Sequence, residues 1–326
     1  MFRYRPVVYP FLGSEVCFPA SDVFCRKRCD RLLDNWTLLE YVLSWNVPEG
    51  NPERRLRLGE TMEENVLLVE KTGRVCTLTL NRPEKRNALS PLLLAELTAV
   101  LKRLTEEDEV RCIVIRGAGE KAFSAGFDIS DLPIRSGAEE ADPVRAESPL
   151  DQGMQAVTDF PYPVIAMING AAYGAGCELA MTCDIRIASD DARFSVPPAK
   201  LGIVYRWRGI LKCVDMVGLS SAKEMFFTGR AYDASQAREM GLIHYVLARD
   251  RLTAFTYEMA REISENAPLS LRALKILFNR CQQVQRMGAE DIRQMEALRD
   301  QSFRSEDVKE GREAFREKRK PVFKGR

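Results

Sequence analysis

Asn169-Gly170-Ala171-Ala172-Tyr173-Gly174-Ala175-Gly176-Cys177-Glu178-Leu179 is the stretch that decides the fold. The apolar run Val164 to Ile168 before it reads as a buried strand, and Cys177 to Cys183 reads as the start of a buried helix. Strand, glycine turn and helix in that order belong to an α/β protein. The first amides of a helix have no intrahelical acceptor and point out of its end. Small residues let a ligand approach them closely, so such a terminus can hold an oxyanion. Close packing is the plainer explanation of any one glycine turn. A dinucleotide site is the other rival, but Gly174-Ala175-Gly176 lacks the third glycine of that fingerprint.

Working outward, a second glycine turn, Ala122-Phe123-Ser124-Ala125-Gly126-Phe127-Asp128-Ile129, follows a strand from Val110 to Ile115. Both turns are expected where parallel strands end, the usual ligand-binding edge of an open α/β sheet. Val75 to Leu80 is a further strand, closed by Asn81-Arg82-Pro83, and Asp184 to Ala188 another. Ser90 to Leu104 has Pro91 just inside a helix start and apolar residues at helical spacing. Beyond about residue 250 the pattern is helical without strands, as in Leu252 to Asn266 and Leu269 to Gln283. The organisation expected is an N-terminal extension (1–61), a core (62–250) and a helical C-terminal region (251–326). The extension carries basic clusters, an isolated apolar stretch from Leu32 to Trp45 and a polar linker from Asn51 to Glu60. Met62 then reads like a fresh start, so residues 1–61 are expected to be dispensable.

Composition removes several functions. The chain has 326 residues and a formal net charge of +1, without the basic excess of a nucleic-acid-binding protein. No apolar run approaches the roughly 20 residues that cross a bilayer. Nine scattered cysteines, including Cys76, Cys112 and Cys213 in apolar segments, read as reduced core thiols of a cytoplasmic protein. Cys25 and Cys29 have the spacing of half a zinc site, but no second half follows. The single histidine, His244, reads as structural, so neither a His-rich metal site nor a Ser-His-Asp hydrolase is expected, and no metal is assigned.

Asn81-Arg82-Pro83, Arg86-Asn87-Ala88-Leu89-Ser90, Phe123 to Ile129, Gly170 to Asp184, Gly229 to Val246 and the tail from Glu310 to Phe323 resemble, in order and spacing, the enoyl-CoA hydratase/isomerase (crotonase) superfamily. The resemblance runs from about Met62 to the end. It implies a ββα spiral core with an all-helical C-terminal trimerisation region, hence a homotrimer or dimer of trimers. It implies an acyl-CoA thioester as substrate, with no cofactor beyond the CoA that the substrate carries. It assigns the oxyanion-hole amides to Phe127 and Ala175. The segment Lys85 to Leu89, with Asn87 and Ala88, and the loop with Ala122, Ser124 and Ala125 are implied to hold CoA. Lys318 is the positional match for a lysine that reaches the nucleotide end.

The resemblance also marks departures. Hydratases of the family use two glutamates; the first matches Glu178, and the second falls on Pro198, which cannot transfer a proton. The usual isomerase base maps to the same place. Glu178, Tyr205, Arg206 and Arg208 remain near the expected site, and at least one of the arginines is expected at the surface. Tyr173 and Trp207 are expected in the pocket or core. In its apolar helix start Glu178 is suited to proton transfer, with a buried, hydrogen-bonded structural glutamate as the other reading. Proline at this position with a tyrosine soon after Leu201-Gly202 is similar to the methylmalonyl-CoA decarboxylase branch, which carries a histidine where this chain has Phe127. Decarboxylation of a malonyl-type CoA is therefore the reaction expected first, then hydration or isomerisation of an enoyl-CoA. A catalytically weak acyl-CoA-binding subunit is the reading from a different class.

Overall fold

The computed structural model describes residues 65–128, 130, 148–283 and 289–324, all within the unit Met62–Arg326. The expectations for residues 1–61 and for Ile129 lie outside the described residues.

Two sheets organise the chain. The larger has the order β1 (Leu67–Thr72), β2 (Val75–Leu80), β3 (Cys112–Gly117), β5 (Val164–Ile168), β7 (Ile185–Ser189), β10 (Tyr245–Leu247). Only β1 runs antiparallel to its neighbour. The smaller has the order β4 (Ala122–Ser124), β6 (Ala171–Tyr173), β8 (Arg193–Ser195), β9 (Tyr232–Asp233), with β9 antiparallel. The chain therefore visits the large sheet, then the small one, and repeats: β3 then β4, β5 then β6, β7 then β8. Each round moves one strand along both sheets, which is the spiral that the resemblance implies. β2, β5 and most of β3 are buried; β5 and the first four residues of β3 are continuous apolar runs, whereas β2 alternates with the buried Thr77 and Thr79.

The helices close the faces. In α1 (Pro91–Glu107), Ser90 caps the start by accepting from the Leu93 amide at 3.2 Å, and Leu93, Leu94, Leu97, Leu101 and Leu104 form the buried stripe. Full burial of each such leucine stabilises the fold by about 2 kcal/mol. α2 (Pro149–Asp159) packs on α1, α3 (Ala175–Thr182) follows β6, and α4 (Trp207–Thr228), broken at Gly218, packs on α3. After α5 (Ala234–Glu239) and β10 come α6 (Arg249–Glu265), α7 (Pro268–Gln283), α8 (Ala289–Arg304) and α9 (Glu306–Glu317). Among the described residues no strand follows Leu247, as expected for the C-terminal region.

α9 braces a short 3₁₀ turn, Pro198–Leu201. Two glycines make the contact possible. A Cβ on Gly202 would lie 2.6 Å from the Asp307 backbone, and one on Gly311 would lie 2.6 Å from the Leu201 carbonyl oxygen. No helix among the described residues is long and apolar enough to cross a membrane.

Two sequence expectations need correction. The glycine turns do not follow the long parallel strands directly: each encloses a three-residue strand of the second sheet, β4 or β6. The third strand spans Cys112–Gly117 rather than Val110 to Ile115, because Arg116 and Gly117 still pair with Thr79 and Leu80 on β2.

Candidate active site

The segments expected to hold CoA are brought together by main-chain hydrogen bonds. The Ala125 amide donates to the Arg86 carbonyl at 2.9 Å, the Leu89 amide to Gly126 at 2.7 Å, and the Asp128 amide to Leu89 at 3.0 Å. Leu89 and Phe127 thus form an isolated parallel bridge. In an extended segment alternate residues turn their amides to opposite sides. Asp128 spends its N–H on Leu89, so the N–H of Phe127 faces away from Leu89.

The second turn lies against the first. A Cβ on Gly126 would meet the Tyr173 carbonyl oxygen at 2.8 Å and the Ala175 nitrogen at 3.4 Å, and one on Gly174 would lie 4.0 Å from the Gly126 Cα. Gly174 adopts φ 51 and caps α3, its own amide donating to Ser195 at 2.8 Å. Ala175 is the first residue of α3, where the amide has no intrahelical acceptor. The Phe127 and Ala175 backbones are therefore neighbours, as an oxyanion hole needs.

A charged brace holds the first loop. Arg82 donates to the Ala88 carbonyl at 2.9 Å and to Asp128 at 3.0 Å, and Lys85 approaches Asp128 at 3.5 Å. Burial alone would raise the Asp128 pKa; hydrogen bonds from Ser130 and Arg82 and the Lys85 charge outweigh it and hold it at about 2. Arg86 and Asn87 both adopt positive φ, at 52 and 56.

The side chains of several expected CoA residues serve the scaffold instead. Asn87 is fully buried; its amide donates to Ala118 at 3.0 Å and Ala122 at 2.8 Å, and its oxygen accepts from the Arg82 amide at 3.1 Å. The Ser124 hydroxyl, also fully buried, accepts from the Gly126 amide at 3.2 Å. Leu89 and Ala122 are core residues, and Ala88 is buried. Lys85 and Ala125 stay exposed. Lys318 is exposed at the C-cap of α9, with φ 56, and takes no part in the contacts that join the two loops. Arg312 of the same helix does reach the rim, donating to the Ser130 carbonyl at 3.5 Å.

Glu178 sits in the first turn of α3 and is only 3% exposed. It is not an unpaired carboxylate: Arg206 donates to its Oε1 at 2.6 Å and, through the other terminal nitrogen, to Asp151 of α2. Arg206 is therefore buried, while Arg208 is the surface cation of the pair, its side chain 48% exposed. Burial works against the Arg206 charge, but Glu178 and Asp151 outweigh it and raise its pKa above the ordinary arginine value. Asp151 and its link to Glu178 escaped the sequence reading.

Tyr205 immediately precedes Arg206, its ring edge-on to Phe226 at 5.4 Å. Among the described residues, the Tyr205 hydroxyl and Glu178 Oε2 are the two buried side-chain polar atoms without a hydrogen-bond partner. Both groups border Gly209, whose absent Cβ would lie 2.5 Å from the tyrosine ring and 2.9 Å from Glu178 Oε2. Burial first, then the Glu178 charge, push the phenol well above 10, so it keeps its proton. Pro198 is buried at the start of the 3₁₀ turn and offers no acid. Tyr173 and Trp207 are part-buried. His244 is structural: its Nδ1 accepts from the Arg186 amide at 3.1 Å.

Two sheets linked by a spiral path define a crotonase-type fold. Residues 70–326 match the family Enoyl-CoA hydratase/isomerase, and the chain belongs to that family. It is 35% identical over 262 residues to the methylmalonyl-CoA decarboxylase of Escherichia coli, covering 80% of this chain and 97% of that one. It is 36% identical over 263 residues to the short-chain-enoyl-CoA hydratase of Clostridium acetobutylicum, covering 79% and 97%. A solved methylmalonyl-CoA decarboxylase in complex with 2-nitronate-propionyl-CoA superposes with a TM-score of 0.74 at 34% identity, covering 80% of this chain and 99% of that one.

Proposed function

We propose that this protein is an acyl-CoA enzyme that decarboxylates a malonyl-type CoA thioester through an enolate. The observation that carries the reading is the pairing of Pro198, where the family's second glutamate falls, with Tyr205, whose buried hydroxyl faces Glu178 without a well-formed hydrogen bond. The relatives support the family and its CoA thioester chemistry; the choice of reaction rests on these residues.

In this mechanism the amides of Phe127 and Ala175 hold the thioester oxygen. The bond from the α-carbon to the carboxylate breaks, CO₂ leaves, and the electron pair passes into the thioester as an enolate on that oxygen. Donors set in advance stabilise this charge more than the ground state. The Tyr205 hydroxyl orients the departing carboxylate, and the enolate's α-carbon then takes a proton from Glu178, Tyr205 or solvent, a protein donor being reprotonated from solvent. No cofactor beyond the substrate's own CoA is needed. Addition of water to an enoyl-CoA is the second reading, favoured by one feature: Glu178 Oε2 is a buried acceptor without a well-formed hydrogen bond, bordering Gly209 as Tyr205 does. It would leave one carboxylate to perform both proton transfers.

The test compares CO₂ release from methylmalonyl-CoA with hydration of crotonyl-CoA. Release should exceed hydration, and Tyr205→Phe should slow release with little change in CoA binding. A hydrogen bond to a charged group contributes about 1.5–3 kcal/mol, so the loss should be roughly ten- to a hundredfold. Fast hydration with no CO₂ release defeats this reading. Failure to exchange the α-proton of any acyl-CoA would favour a binding subunit.

A further inference from the structure

We propose that Arg206, steadied by Asp151, is a positioning residue that fixes the Glu178 carboxylate with one oxygen occupied and the other turned toward Tyr205. The inference rests on the enolate chemistry proposed above and adds a residue pair to it.

Three helices meet at this guanidinium. Glu178 comes from the first turn of α3, Asp151 from the first turn of α2, and Arg206 is the N-cap of α4, with extended backbone at φ −67 and ψ 140. A planar guanidinium presents donors in a fixed fork, so one side chain can hold two carboxylates at a set angle. Here one terminal nitrogen meets Glu178 Oε1 at 2.6 Å and the other meets Asp151. A lysine ammonium has no such fork. Arg208 approaches the same Asp151 oxygen at 4.0 Å, from the surface.

The geometry has a consequence for Glu178. With Oε1 bound to Arg206, rotation of the carboxylate would break a buried, charge-assisted hydrogen bond. Oε2, itself buried, is the oxygen that Arg206 does not occupy, and it lies beside Gly209, which also borders the Tyr205 ring. Arg206 also neutralises a carboxylate that would otherwise be buried without a counter-charge. Glu178 is therefore held in place as an acceptor. Asp151 matters because Arg206 is itself buried: without it, half of the fork would be unpaired.

A staple joining three helices would give the same contacts without affecting the chemistry, so the test must separate the two. The variants are Arg206→Gln, Arg206→Lys, Asp151→Asn and Glu178→Gln, with Arg206→Gln and Asp151→Asn each repeated in the Glu178→Gln background. Deuterium uptake at the α-carbon of propionyl-CoA in D₂O gives kcat and KM, and denaturant unfolding gives stability. A lost proton-transfer arrangement should lower kcat on the order of 10²-fold for Arg206→Gln, with KM little changed. Arg206→Lys should recover part of the loss. Against Glu178→Gln, Arg206→Gln should change kcat by no more than about twofold, since a residue that acts through Glu178 has nothing left to act on. An equal kcat loss in both backgrounds, or no loss in either, overturns the proposal. If Arg206→Gln does not fold, Asp151→Asn carries the same comparison. If the unmodified protein exchanges no α-proton, the enolate reading falls by itself. The unfolding measurements then still report the coupling of Arg206 to Glu178, and its absence overturns the pairing too.

Discussion

Replacing Gly126 with alanine tests the oxyanion hole without touching a catalytic side chain. Gly126 has φ 103, a conformation that L residues rarely adopt. Forcing a side chain there costs on the order of 1–3 kcal/mol in stability. The new Cβ would also stand 2.8 Å from the Tyr173 carbonyl oxygen and 3.4 Å from the Ala175 nitrogen. The first distance is too short for a relaxed contact, so the Tyr173–Ala175 backbone must shift away from Gly126. That moves the Ala175 amide off the point it shares with the Phe127 amide. Losing one oxyanion donor costs about 3–4 kcal/mol in the barrier, or about 10²–10³ in kcat. Gly73→Ala is the matched control: Gly73 also has positive φ, at 60, and its added Cβ would meet nothing within 4 Å. Both variants should melt earlier than the parent, but only Gly126→Ala should lose turnover. The assay measures kcat for CO₂ release or α-proton exchange beside thermal unfolding of each protein. Equal activity of the two variants would refute the placement of the hole between Phe127 and Ala175.

Two other outcomes follow from the structure. Partial burial, then the charge of Arg186, lower the His244 pKa from its ordinary 6.5, so the fold favours the neutral ring. The unfolded chain binds more protons just below that value, and the contribution is full above about 6.5 and lost as pH falls through the folded pKa. Stability should thus rise with pH across this window by less than one proton's linkage, and His244→Gln should flatten the slope in denaturant titrations; an unchanged slope would refute it. On α7, Leu274, Leu277 and Phe278 are exposed by 49%, 56% and 67%, and Leu269 at its start by 79%. A face this apolar marks an interaction surface, so the protein should sediment as a homo-oligomer, a trimer or a dimer of trimers. Leu277→Glu with Phe278→Glu should release monomers; a compact monomer from the parent at micromolar concentration would refute this.

What could be read from the sequence follows from physical distance along the chain. β5 is buried along its length, so its apolar run announced it, while β2 showed itself by β-branched threonines alternating with leucines. β4, β6 and β8 have three residues each, too few for any periodicity, and were hidden inside turns. Arg116 ended the expected third strand early because a charge breaks an apolar run, although main-chain pairing continues past it. Main-chain amides leave no side-chain signature, so the placement of Phe127 and Ala175 came from ordered motifs, not composition. Asn87 shows the converse limit: a motif marks its position, but not that its side chain is spent on Ala118 and Ala122. Asp151 and Arg206 lie 55 residues apart on different helices. Nothing local joins them; the bonds near Asp151 in the chain, its amide donating to the Ser148 hydroxyl and its carboxylate accepting from that hydroxyl, belong to the cap of α2.

The brace between α9 and the Pro198–Leu201 turn bears on the order in which the molecule comes to life. Synthesis proceeds from the N-terminus, and domains fold as their parts become available. Phe127, Ala175, Glu178 and Tyr205 are all made well before Gly311, whose missing Cβ lets α9 settle against the Leu201 carbonyl. A nascent chain that ends at residue 300 thus holds every residue of the proposed site and lacks the buttress behind the turn that leads to Tyr205. The turn that leads to the proposed site therefore leans on a helix made far downstream of it in the chain.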